Sequence, residues 1–210
     1  MKDDFLRPPT TLGEWLADAL RLVGVLGVLA AAIWLKPTDA GIAALALPAL
    51  MLPRMLGLAA WFDVTACATV LVAAWSNVFD LYRTVTGWDL VLHFLCTGVL
   101  AVIAAVILTR TSVVRLVTAV DGSGHTLSRR TPIVLLPLLA LAISAVWEMI
   151  EWLGWRYISD DIFVTYQDTI GDMVLGGLGG VAAGILLALV PVGRRTRPHM
   201  LSPDARKVRP

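Results

Sequence analysis

Apolar runs of about twenty residues recur along almost the whole chain, and that repetition leaves very few folds open. About twenty apolar residues in a helix cross the hydrocarbon of a bilayer, and within it each backbone N–H and C=O must find its partner inside the segment. With 210 residues, the length is used up by such runs, and no room remains for a separate soluble domain. Composition agrees: 58% of the residues are hydrophobic and 16% charged, against roughly 25% charged in a soluble domain. The expected fold is therefore all-α, a polytopic transmembrane helix bundle of about six spans. Lipids are its expected surroundings. A net charge of +1 says little about partners, since the placement of charge matters more than its sum, and no feature calls for nucleic acid.

The first span is expected from about Ala17 to Leu35, preceded by Thr11-Leu12-Gly13-Glu14, which has the spacing of a capping box. The N-terminus lacks the basic stretch and small-residue cleavage site of a signal peptide, so this first helix is expected to stay. A second run, Ala40 to Leu52, is short, contains Pro48 and ends at Pro53-Arg54; it crosses only if flanking residues are recruited. Further spans are expected from about Met55 to Asp80, Trp88 to Thr109, Pro132 to Tyr157 and Asp168 to Val190. Residues 1–16 form an interfacial N-terminus, 17–190 the membrane domain, and 191–210 a basic tail expected to be disordered. His125, in a turn-rich loop with Arg129 and Arg130, and His199, in the tail, read as solvated residues. Cys67 and Cys96 lie inside apolar runs and read as small buried hydrophobes.

Orientation follows from the basic residues, which accumulate on the cytoplasmic side. Of seventeen lysines and arginines, Lys36, Arg83 and Arg156 fall on one side of a six-span chain, Arg21 sits within the first span, and the other thirteen fall opposite. Both termini are thus expected in the cytoplasm, and dropping the second span would break the partition.

Three ionisable pairs stand out: Asp89 with His93, Glu148 with Glu151, and Asp168 with Asp172. Spacings of i,i+3 and i,i+4 put each pair on one helix face, and the topology puts all six at the extracytoplasmic end. Asp172 also begins a stripe of Gly176, Gly180 and Gly184, which lets another helix approach closely or offers a face to a membrane-protein partner. Several carboxylates at membrane depth need neutralising, by a divalent cation, by shared protons, or by Arg83 or Arg156. Carboxylates and a histidine on bundle helices form a known kind of metal site. The expected ligands are His93, Glu148, Glu151 and Asp172, with Asp89 and Asp168 orienting them or binding in addition. Such a set suits zinc, manganese, iron or magnesium.

Other polar groups read as structural. Asp63 is expected to reach the interface or pair with Arg54, while Asn77 and Asp80 could support the cluster from behind. Trp75, Trp88, Trp147, Trp152 and Trp155 share one level, as an interfacial belt or as the lining of an apolar entrance for a lipid.

Three segments carry a resemblance. Trp88-Asp89-Leu90-Val91-Leu92-His93-Phe94, Trp147-Glu148-Met149-Ile150-Glu151-Trp152 and Gln167-Asp168-Thr169-Ile170-Gly171-Asp172-Met173 resemble the signature segments of YjdF-like bacterial inner-membrane proteins. The glycine-rich stretch after Asp172 is similar to the last helix of VanZ-like proteins. The resemblance implies a multi-pass protein of the bacterial inner membrane and carries no settled activity. The family's stretch before the last aspartates is usually longer; here it is shortened to Tyr166-Gln167-Asp168-Thr169. With a metal, the expected chemistry is hydrolysis of an envelope lipid or lipid-linked substrate. A proton- or cation-coupled transporter is one alternative, supported by Pro48 and Pro137 but by no evident repeat. A structural or accessory membrane subunit is the other.

Overall fold

A computed structural model describes residues 2–113, 131–159, 162 and 164–193. They form eight helices: α1 (Lys2–Leu6), α2 (Leu12–Trp34), α3 (Pro37–Met55), α4 (Ala60–Val78), α5 (Leu81–Thr84), α6 (Trp88–Arg110), α7 (Thr131–Tyr157) and α8 (Tyr166–Leu189). Among the described residues the sole β feature is an isolated bridge between Leu58 and Gly193. The loop with His125, Arg129 and Arg130 lies outside the described residues, as do His199 and all of the basic tail beyond Gly193.

Five helices, α2, α4, α6, α7 and α8, are long and apolar enough to cross a membrane. The sixth long helix, α3, carries Pro48 and Pro53 in its interior and Asp39 and Arg54 near its ends, which lowers its apolarity. It nevertheless runs the depth of its neighbours. At the start of α3, Asp39 accepts a hydrogen bond from Asn77 Nδ2 at the far end of α4, at 2.8 Å. Near the other end, the Leu50 carbonyl accepts one from Arg21 Nε of α2 at 3.0 Å. Its 19 residues rise about 28 Å, close to the hydrocarbon thickness.

The long helices make two groups of three, α2–α3–α4 and α6–α7–α8, joined mainly along α4 and α6. At the Arg54 end the groups share one core, in which Leu56, Phe62 and Ala66 meet Val102, Ile103, Leu136 and Leu187. Within the second group, α8 packs on both partners through glycines. A Cβ at Gly98 would sit 2.9 Å from the Gly179 carbonyl oxygen, so α6 and α8 touch backbone to backbone. On its other side α8 presents Gly180 to Leu136 and Gly184 to Pro132, where a Cβ would meet carbonyl oxygens at 2.8 and 2.7 Å. Gly176 faces Ser144 and Thr97. The stripe of Gly176, Gly180 and Gly184 is thus filled inside the chain by α7, and that face is not open to a membrane-protein partner.

The Arg54 end is closed by ion pairs. Asp63 pairs with Arg21 rather than with Arg54, and Arg21 also holds Asp18 at 2.7 Å. Arg54 lies 3.3 Å from the other Asp18 oxygen and donates to the carbonyls of Phe5 and Arg7, which fastens the N-terminal segment. The sequence order could not reveal this choice, because it depends on α2 lying against α4. The capping spacing is realised one residue away from expectation: Thr11 accepts from Glu14 N, but Glu14 accepts from Thr10 N at 2.7 Å. Glu14 is further held by Arg7 at 2.8 Å, and that hydrogen bond keeps the Arg7 guanidinium above its ordinary value.

The expected third span from Met55 to Asp80 is shorter at both ends. Gly57, at φ +52°, turns the chain before α4, and Asp80, at φ +55°, turns it after. Asn77 is committed to Asp39 and Asp80 is exposed beside Arg83, so neither supports the cluster.

Candidate metal centre

Three helices bring the sequence-predicted residues together at the end away from Arg54. His93, one turn into α6, lies at the centre and is 7% exposed. Its Nε2 stands 3.4 Å from Asp89 Oδ1 on its own helix and 3.8 Å from Asp172 Oδ1 on α8. Its Nδ1 stands 3.9 Å from Glu148 Oε1 on α7. The separations to Asp172 and Glu148 exceed hydrogen-bond lengths, and the one to Asp89 stands at the long limit of a hydrogen bond. Asp89, His93 and Asp172 can place donor atoms within 4.8 Å of one another, and so can His93, Glu148 and Glu151. Asp168 belongs to neither group: it sits in the first turn of α8, its N–H donating to the cap Thr165 at 3.3 Å. There a carboxylate offsets the helix dipole.

Local sequence explains the convergence. Gly171 and Gly176 let α8 come close enough to α6 and α7 to bury Asp172, which is 1% exposed. Ser144, one turn before Glu148, donates to the Asp172 carbonyl at 3.4 Å and ties α7 to α8 at the level of the cluster.

Charge is what sets this end apart from the other. At the Arg54 end, Asp18 and Asp63 are matched by Arg21 and Arg54. Around His93 stand four carboxylates with no arginine: among the described residues no ion pair joins the cluster to Arg83 or Arg156. Arg83 lies 3.8 Å from Asp80, and Arg156 stacks 5.4 Å from the Tyr157 ring. Glu148 Oε1 and both Asp172 carboxyl oxygens are buried without a hydrogen-bond partner. Native proteins rarely leave buried polar atoms in that state.

Two residues beside the cluster carried no periodic signal. Ser76, buried on α4, accepts from Trp88 Nε1 at 2.8 Å, and Tyr82 of the short α5 donates back to the Ala73 carbonyl at 3.0 Å. Both contacts depend on the turn at Asp80 and Gly87, where backbone φ is positive. Of the five tryptophans expected at this level, Trp88 is thereby tied between α4 and α6, and Trp75 lies against Gly27 of α2. Trp147, Trp152 and Trp155 are exposed on α7, as an interfacial belt requires.

No curated protein and no solved structure matches the chain. A family model does, over residues 15–192, which takes in all six long helices nearly end to end and the whole cluster. The chain belongs to the predicted membrane protein family DUF2238.

Proposed function

We propose that the His93 cluster is a divalent-cation centre at the extracytoplasmic face of a six-span protein of the bacterial cytoplasmic membrane. The observation that carries this reading is the contrast between the two ends: among the described residues Asp18 and Asp63 are matched by buried arginines, whereas the buried carboxylates around His93 have no arginine or lysine and leave oxygens unpartnered. A dication supplies the missing charge and fills the unpartnered oxygens, and imidazole with carboxylates suits zinc, manganese, iron or magnesium. The depth of α3 supports a sixth span, which keeps the thirteen-to-three partition of basic residues intact and puts both termini in the cytoplasm. The signature segments that resemble YjdF-like proteins fall on the same cluster, and nothing in this reading rests on the resemblance of α8 to VanZ-like proteins.

A metal so placed would lower the pKa of a bound water and polarise an ester or phosphoryl oxygen. The chain's own contribution is to hold the donors in a site shielded by α7 and α8. An apolar groove of about 290 Å³ lined by Leu71, Val72, Trp75, Ser76, Phe79 and Leu81 opens at the same level. Its wall is joined to the cluster's helix by the Ser76–Trp88 hydrogen bond. This favours an amphiphilic substrate, an envelope lipid or lipid-linked molecule, over a soluble one. The transporter reading lacks a repeat, and the accessory-subunit reading lacks the open glycine face it relied on. Elemental analysis of detergent-purified chain is the test: stoichiometric divalent metal is expected, sharply reduced in Glu148→Gln. Chain purified without chelator and free of metal would overturn the reading in favour of a protonated network.

A further inference from the structure

His93 has acidic groups on both sides of its ring, and the two sides are alike in one respect that a single ion does not explain. On the Nε2 side stand Asp89 and Asp172, and on the Nδ1 side Glu148. Each side has three donors within 4.8 Å when His93 is counted in both. Each also holds its own buried carboxyl oxygen without a partner: Asp172 Oδ1 and Oδ2 on the first, Glu148 Oε1 on the second. Asp172 and Glu148 are 1% and 7% exposed, so water is a poor substitute at either. One dication, bound on one side, would satisfy the oxygens there and leave the opposite carboxylates buried, charged and unpartnered.

We infer that the centre takes two divalent cations, one held by Asp89, His93 and Asp172 and the other by His93, Glu148 and Glu151, with the imidazole shared between them. The inference rests on the metal reading above and goes beyond it in number and in the assignment of ligands. Charge supports it. Four carboxylates with one dication retain two negative charges in a poorly hydrated place, whereas two dications cancel all four. Sharing the ring requires a metal on each nitrogen, so binding of the second ion displaces the remaining ring proton, which leaves to water; the bridge is then an imidazolate and the set carries one net negative charge. Helical bundles already hold paired metals with carboxylates and histidines projecting from facing helices.

The test is a count. Full-length chain in detergent, with any affinity tag removed and stripped by chelator, is loaded with Zn²⁺ alone, desalted and analysed for zinc. Two equivalents are expected in the wild type, one in Asp172→Asn, one in Glu151→Gln and none in the double variant. Asp80→Asn, an exposed acid at the same end, should keep two. Loading with Mn²⁺ gives an independent readout: the six-line electron paramagnetic resonance signal seen at one equivalent should broaden at two. One equivalent in the wild type, lost in either single variant, would overturn the two-ion inference and keep a single centre. No zinc in a well-folded wild type would overturn both. Variants that elute as aggregates are set aside, because the wild-type count and the Mn²⁺ spectrum decide the question alone.

Discussion

Arg21 on α2 and Asp63 on α4 form an ion pair whose side chains are only 7% and 4% exposed, and it joins the first and third long helices of one three-helix group. Breaking such a pair from one side strands a buried charge, which costs about 3–5 kcal/mol, while replacing both partners by apolar residues is often neutral. Asp63→Leu alone should therefore destabilise the purified protein severely, and Arg21→Met with Asp63→Leu should recover most of the loss. Thermal unfolding in a fixed detergent checks this. Equal destabilisation by the single and double variants would show that the pair's role is not charge balance.

The glycines of α8 give a second prediction. Gly179 lies against the backbone of Phe94, where a Cβ would meet the carbonyl carbon at 2.9 Å, and backbone cannot step aside as a side chain can. Gly179→Ala should cost about 1–3 kcal/mol, as overpacking does. Gly41 in α3 has nothing within 4 Å of its would-be Cβ, so Gly41→Ala should be neutral or stabilise by up to about 1 kcal/mol through helix propensity. Parallel unfolding curves of the two variants compare them.

The helices and the face-sharing pairs were legible because both follow from local periodicity: i,i+4 spacing alone puts Asp89 beside His93, and the glycine spacing after Asp172 foretells a tight helix contact. What no local pattern encodes is which helix lies opposite. The stripe of Gly176, Gly180 and Gly184 signals close approach equally well for α7 or for another protein. Asp63 has arginines at 54 and 21, and only the packing of α2 on α4 selects Arg21. Asp168 has the same spacing to Asp172 as Asp89 has to His93, and both sit in the first turn of their helices, yet Asp89 joins a donor group and Asp168 joins neither, a difference that the packing decides and the spacing does not. Asp80 departs from expectation for another reason, since the chain leaves the helix and turns there at positive φ, whereas Asn77 stays within α4 and is drawn to Asp39 of α3.

Topology supplies a third prediction. With Cys67 and Cys96 replaced by Ala, single cysteines at Thr84 and Ser112 lie at opposite ends of the bundle, in α5 and just beyond α6. A membrane-impermeant maleimide applied to intact cells should label position 84 and spare 112 until the membrane is opened. The reverse pattern would put the His93 cluster on the cytoplasmic side and remove any envelope substrate from its reach.

The last prediction concerns stability in the presence and absence of ions. An ion that binds only the folded chain stabilises it by RT ln(1 + [L]/Kd), about 2.7 kcal/mol at a hundred times Kd. Adding Zn²⁺ or Mn²⁺ to stripped wild-type protein should therefore raise its unfolding temperature, and a chelator should reverse the rise. In Glu148→Gln and Asp172→Asn the rise should shrink, because each removes a ligand charge while nearly keeping shape. Without ions the order should invert: the wild type holds four acids around one imidazole, so removing a carboxylate relieves repulsion and the variants should be at least as stable. This crossing separates the metal reading from its rivals. A protonated network, or a polar cluster that only packs against a partner, would lose hydrogen bonds in both variants whether or not ions were present, and its unfolding temperature would not follow the divalent concentration.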